Sequence, residues 1–422
     1  MPMPSSTLTA ALLLSVATLQ AEVRTWTNTK NQTAEGELIT ATESEAIIQF
    51  SGRSASTAVA LNTLSEADQD YVKEWIRNDG EVTSKGSTSG EDYNPDAGYG
   101  ERLRSLERLT AEIPDNFDHE WPKLIKTPEG VSVDLVRQDP EKKEWVYHSD
   151  HYEFVCDVEL KSHLVERFAI LFEGTREMMR QLPISSKKAH VAGKTHRNRI
   201  ILCESEETYF RNGGPPGSAG VYMGGSDVVM VPLTSLGVKK VGSSYSVDYG
   251  ESNKTLPHEL AHQLTDHEYY KSGARGWFSE GLAEYVGVTP YRSGNFMVTK
   301  TLNAARDYAT EYGRKGEGGR ALGDEISAPA LKDYMLQSYG SFTANANFNY
   351  GLGLLVTAYF FEMEGGGDRV AITAFLKALR EGKEGEEALQ ALLQGRTYAE
   401  LAQDISDGWR SKGIDIEFAE ED

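Results

Sequence analysis

Between residues 23 and 62, apolar side chains alternate with polar ones in four short runs, VRTWTN, AEGELITA, EAIIQF and STAVAL, separated by polar turns. A period of two marks half-buried strands, so a compact β-rich module is expected over 22–78. It closes with the capped helix start Thr63-Leu64-Ser65-Glu66-Ala67-Asp68, which leads into DQDYVKEWI. From Asp79 to Gly100 the chain is polar and rich in Gly and Ser, the composition of a flexible linker over 79–100. Arg102 to Glu112 reads as a short helix. Patterning resumes from about Val131. Strand-like runs at His151–Val158 and Arg199–Cys203 flank an amphipathic helix at Leu164–Leu182, a β-α-β opening. Gly220–Gly224 and Asp227–Pro232 read as a hairpin. Helical spacing then dominates, at Leu302–Tyr312, Val370–Leu379, Glu386–Leu393 and Tyr398–Lys412, and Gly313–Gly323 is a Gly-rich loop near the cleft. The expected class is α+β, a small β module followed by a larger domain over 101–422 with a helical C-terminal part.

The first apolar run is different in kind. Leu8 to Leu19 forms a hydrophobic segment followed by small residues, with cleavage sites at Ser15 and Ala17 or at Ala21, although no basic residue precedes it. Residues 1–21 are therefore read as a signal peptide and the protein as secreted or periplasmic. No later stretch is long and apolar enough to span a bilayer. The 422 residues leave room for two or three domains, and a formal charge of −21 argues against nucleic acid as a partner. Cys156 and Cys203 are the only cysteines. An exported protein can pair them, and two buried free thiols fit equally well.

Candidate chemistry concentrates in Leu256-Pro257-His258-Glu259-Leu260-Ala261-His262-Gln263-Leu264. On a helix, positions i and i+4 share a face, so His258 and His262 can point two imidazoles at one ion with Glu259 beside them. Asn253 or Thr255 can cap this helix, and Pro257 is tolerated in a first turn. After a loop at 271–276 able to reverse direction, Gly276-Trp277-Phe278-Ser279-Glu280-Gly281-Leu282-Ala283-Glu284-Tyr285 supplies a carboxylate on a second helix. Two His and one Glu, with water in the fourth position, make an open catalytic zinc site. A third histidine in the pattern H-E-x-x-H-x-x-G-x-x-H is excluded, because Thr265 stands for the Gly and Glu268 for the His. His119, His148, His151, His163, His190 and His196 stand alone, which suits surface or core roles.

HELAH followed by WFSEGLAEY resembles the gluzincin metallopeptidases, and W-x-x-E-G-x-A is close to the pattern of gluzincin aminopeptidases. The resemblance implies a thermolysin- or aminopeptidase-like fold with Zn2+ held by His258, His262 and Glu280. It also implies Glu259 as general base and Glu284 as the carboxylate that orients a ligand histidine. Asn349-Tyr350-Gly351-Leu352-Gly353-Leu354-Leu355 resembles the segment whose tyrosine stabilises the oxyanion. That role falls to Tyr350, with Tyr339 and Tyr359 as competitors. The aminopeptidase motif that binds a free amine is replaced here by GVYMGGSDVVMVP, which lacks its Glu, so an endopeptidase acting on peptides or proteins is the more neutral expectation. The closing helices are similar to those of uncharacterised secreted bacterial gluzincin-like domains. The N-terminal RTWT and LSEADQDYVKEW resemble the SLA homology domain, an SH3-like module. The resemblance implies a module that binds short peptides; placed before an exported enzyme it is read more plainly as an accessory or substrate-tethering part, with a peptide or cell-surface molecule as the partner it would have. The alternative is a catalytically inactive zinc-binding or peptide-binding scaffold that works through this module.

Overall fold

The alternating runs at the N-terminus pair as hydrophobic alternation requires, each strand turning one face inward. The computed structural model describes residues 24–30, 32–41, 45–50, 57–77, 99–215, 218–242, 244–247, 255–311 and 319–421. The expected signal peptide and the caps at Asn253 and Thr255 lie outside the described residues or side chains, as do most of the 79–100 stretch and residues 313–318 of the Gly-rich loop. The chain divides into two compact units, Met1–Lys85 and Gly86–Asp422.

In the first unit, β1 (Arg24–Thr27), β2 (Thr33–Ala41), β3 (Glu45–Phe50) and β4 (Thr57–Ala60) form an antiparallel meander in sequence order. Helix α1 (Glu66–Arg77) follows. Trp26, Leu38, Ala46, Ile48, Leu61, Leu64 and Val72 make its core. The helix start is fixed by buried Asp68, which accepts from Arg24 Nη2 at 2.7 Å, Thr27 N at 2.7 Å and Ser65 Oγ at 2.8 Å. Its own amide donates to Ser65 Oγ at 3.3 Å, which satisfies a free N–H of the first turn.

The second unit begins with α2 (Tyr99–Ala111), which starts two residues inside the stretch read as linker and three before the helix expected from Arg102. Its Leu106 is buried, and Arg102 Nη2 donates to Arg197 O at 3.2 Å. Then come β5 (Ile125–Lys126), β6 (Asp134–Asp139), β7 (Glu144–His148), β8 (Tyr152–Cys156), α3 (Ser162–Gln181), β9 (Asn198–Cys203), α4 (Glu206–Arg211), β10 (Val221–Met223) and β11 (Val228–Pro232). Six of these strands form one mixed sheet in the order β10-β11-β9-β8-β7-β6. The β8–α3–β9 unit and the β10–β11 hairpin follow the sequence expectation, with β8, β9 and β11 mutually parallel and β10 antiparallel at the edge. Helix α3 covers one face, packing Phe168 and Phe172 on Tyr152 and Phe154.

The sheet also decides the cysteine question. Cys156 points into the α3-covered core with Phe154, whereas Cys203 joins Tyr209 and Met230 in a separate cluster. Both are free and buried. Successive side chains on a strand face opposite ways, and Cys156 is registered with Leu202, not Cys203. The two thiols thus face away from each other on opposite sides of the sheet, and no disulfide forms.

A second hairpin, β12 (Val238–Val241) and β13 (Ser244–Val247), precedes α5 (Thr255–Leu264) and α6 (Trp277–Val288). Short β14 (Tyr291–Arg292) and β15 (Asn295–Phe296) complete a small sheet with β5. Then follow α7 (Thr301–Thr310), β16 (Glu325–Ala328), α8 (Leu331–Leu336), α9 (Tyr339–Ala344), α10 (Ala346–Glu362), α11 (Val370–Arg380), α12 (Gly385–Leu393), α13 (Tyr398–Arg410) and β17 (Asp415–Phe418). Helix α10 is apolar around its circumference and accordingly lies at the centre of the helical core. Among the described residues no helix is long and apolar enough to cross a membrane.

Helices α6 and α10 approach closely at two glycines. A Cβ at Gly281 would lie 2.2 Å from Thr357 Oγ1 and 2.4 Å from Gly353 O. The helix-propensity gain of Gly281→Ala, about 1 kcal/mol, cannot offset a clash with backbone. We expect a net loss of about 1–3 kcal/mol, read as a lower urea midpoint; an unchanged midpoint would show that the helices can part without cost.

Buried His196 gives a pH signature. Burial pushes its imidazole down to about 4, against an opposing pull from Asp227. The unfolded chain takes up this proton near pH 6.5 and the folded chain only near 4. The histidine therefore contributes stability above about pH 6.5 that is lost as pH falls towards 4. The loss at pH 4 is about 3 kcal/mol at most. Unfolding midpoints measured from pH 7 to 4 should fall less steeply in His196→Gln than in the parent; equal slopes would contradict this.

Candidate metal centre

Helix α5 straddles two cores. Leu256 and Leu260 pack on the sheet side, Ala261 and Leu264 on the helical side. This fixes the rotation of the helix and aims the His258–His262 face at α6. The turn back is made by a short 3₁₀ segment at His267–Tyr270 and by Gly273 and Gly276 with φ of +83° and +97°, a region open to glycine without strain. Gly276 N donates to Ser279 Oγ at 3.0 Å, and Trp277 Nε1 to Gly273 O at 2.7 Å, which set the first turn of α6 with Glu280 in it.

The structure brings His258, His262 and Glu280 together as a group able to hold a metal ion. The two Nε2 atoms are 3.1 Å apart. Glu280 Oε2 lies 3.1 Å from His262 Nε2 and 3.5 Å from His258 Nε2. Three donors at these separations share a point about 2 Å from each, which is the zinc–ligand distance of ~2.0–2.2 Å.

The atoms facing away from that point are also held. Tyr270 OH donates to His262 O at 2.9 Å, which leaves its oxygen to accept from His262 Nδ1 at 3.2 Å and turns Nε2 to the centre. His258 Nδ1 faces Glu284 Oε1 at 3.4 Å. The other oxygen of Glu280, Oε1, accepts from Tyr339 OH at 2.9 Å. Burial disfavours charge on both His258 and Glu280, but each is held charged by the other groups of the cluster. Glu280, Glu284 and Glu259 raise His258 to about 9. The two histidines keep Glu280 well below the usual carboxylate range.

Glu259 stands outside the ligand group. Its Oε2 accepts from the amide of Tyr222 on edge strand β10 at 2.8 Å. The Tyr222 ring lies parallel to His262 at 6.4 Å, and its hydroxyl donates to Asp227, which is paired with half-buried Lys188 at 2.9 Å. The Tyr350 ring lies on His258 at 6.1 Å, and its hydroxyl interacts with that of Tyr339. Burial, reinforced by the Glu280 charge, pushes both phenols up, so both remain O–H groups. Tyr359, the other competitor, packs in the helical core against Phe360 and Gly408. Of the isolated histidines, His148 pairs with Glu153 at 3.2 Å and His151 with Glu173 at 2.7 Å, away from the centre.

Sequence patterns did not point to Tyr222, Tyr270 or Arg320. Tyr270 lies eight residues beyond His262, just before the loop read at 271–276, and no periodicity links it to the histidine. No protein-family model matches the chain, and no curated protein matches it.

Proposed function

We propose that the second unit is a zinc-dependent peptidase of gluzincin type, hydrolysing peptide bonds in a peptide or protein substrate. The observation that carries this is the donor triad of His258, His262 and Glu280, with separations of 3.1–3.5 Å and the outward atoms already partnered. Two imidazoles and one carboxylate are a catalytic zinc set, whereas calcium and magnesium sites are built from oxygen. When bound there, the ion would polarise a carbonyl and lower the pKa of a water.

The chain's own groups do the rest. Tyr222 N–H holds Glu259 Oε2, leaving Oε1 to take the water's proton and later deliver it to the leaving amine. Tyr350 offers an O–H to the developing oxyanion, while Tyr339 spends its O–H on Glu280. Strand β10 is the sheet edge nearest Glu259, where an extended peptide can add as a further strand. The absence of an amine-binding Glu in GVYMGGSDVVMVP favours an endopeptidase. The first unit is read as an SH3-like accessory module and the protein as secreted or periplasmic. A mixed-peptide library incubated with the full chain should be cleaved at internal bonds, with cleavage lost to a chelator and restored by zinc. Zinc binding without any cleavage would favour the inactive scaffold.

A further inference from the structure

We infer that Arg320 is a positioning residue of this centre, acting through Glu284 to hold His258 ready for the ion; the inference rests on the metal-centre reading. Glu284 is buried on α6, and its Oε1 is shared. One neighbour is His258 Nδ1 at 3.4 Å, and the other is Nη2 of Arg320, which donates a hydrogen bond to it. Glu284 also stands in a crowd of like charge, because His258 lies within the fields of Glu259, Glu280 and Glu284 together. When the two imidazoles are neutral, as they must be to ligate, the three carboxylates carry one charge in excess of a divalent ion. Arg320 supplies the missing positive charge. Without it, the buried carboxylate keeps the Tyr308 hydroxyl but loses its cationic partner and can swing away from His258.

Arg320 is anchored through its backbone, and its guanidinium lies near two aromatic rings. Arg320 N donates to Tyr308 O at 2.8 Å, and Asn347 Nδ2 donates to Arg320 O at 2.7 Å. The guanidinium carbon lies 5.0 Å from the Tyr350 ring centre and 5.7 Å from that of Tyr308. A Cβ at Gly351 would lie 3.1 Å from Arg320 Cβ and 2.7 Å from Leu322 Cδ1, so the glycine after Tyr350 is what lets this segment dock. A planar fork lying over two rings reaches a fixed oxygen at low entropic cost, which a lysine cannot match.

The test is zinc affinity of the full chain, measured by competition with a chromophoric chelator, with the fold checked by circular dichroism. Outer partners of a ligand histidine contribute ~10–100-fold to metal affinity. We therefore expect Arg320→Met to bind zinc about tenfold more weakly, and Arg320→Lys to recover part of the loss. Because Arg320 acts through Glu284, Arg320→Met should add nothing in a Glu284→Gln background. Unchanged or tighter binding by Arg320→Met overturns the inference, as does an equal further loss in the Glu284→Gln background. If Arg320→Met does not fold, the same comparison is made with Arg320→Lys, where unchanged affinity overturns it. A parent chain that binds no zinc overturns the metal-centre reading and this inference with it.

Discussion

Glu259→Gln should leave the fold and zinc content near normal while slowing peptide hydrolysis by at least ~10²–10⁴-fold, the usual contribution of a positioned proton acceptor. The expectation follows from where the side chain sits. Glu259 is outside the ligand triad, and its Oε2 is held by Tyr222 N–H at 2.8 Å. Glutamine keeps a carbonyl oxygen for that amide, so the helix and the edge strand stay joined. What it lacks is a basic oxygen for the water's proton. Single-turnover rates with zinc content measured on the same sample separate the chemistry from metal loss. Cleavage at the parental rate would show that another group is the base.

Glu280→Ala should act at the earlier step and empty the site. The carboxylate is buried, at 3% exposure, and supplies one of three donors. It also sets the charge of its neighbours, since its hydrogen bond and charge help to raise His258. With two imidazoles alone, zinc affinity should fall by more than the ~10–100-fold expected for an outer partner such as Glu284. Helix α6 should persist, because Trp277, Phe278, Leu282 and Tyr285 anchor it independently in the helical core. Metal analysis of the dialysed variant checks this. Full zinc occupancy would mean that the third ligand is not Glu280.

These two residues were legible in the sequence because their chemistry follows local periodicity. His258 and His262 share a helix face at any i, i+4 spacing, and Glu280 needs only a second helix after a reversing loop. The strands of the first unit and the β8–α3–β9 opening were legible for the same reason: each is a run long enough to show its period. The hairpin β12–β13, with four residues in each strand, and the two-residue strands β5, β14 and β15 are too short to show a sustained period and were missed. The supporting groups of the centre were illegible for a different cause. Tyr339 meets Glu280 across 59 residues and Arg320 meets Glu284 across 36, contacts set by how α9 and the segment before β16 pack on α6 and not by spacing. Among three candidate tyrosines the residue type was no guide. Tyr359 is on the same helix as Tyr350 but nine positions on, where it meets Gly408 in the core. The cysteines show the converse. Both strands were readable, but which faces they presented depended on register, and register made the thiols diverge.

The proposed chemistry requires one ion held by His258, His262 and Glu280 with a position left for water. Zinc-edge X-ray absorption of the zinc-loaded full chain tests that directly. The predicted result is a first shell of two imidazole nitrogens and two oxygens at ~2.0–2.2 Å, with imidazole outer-shell scattering and no sulfur. A sulfur shell near ~2.3 Å, or an all-oxygen shell without imidazole scattering, would contradict it.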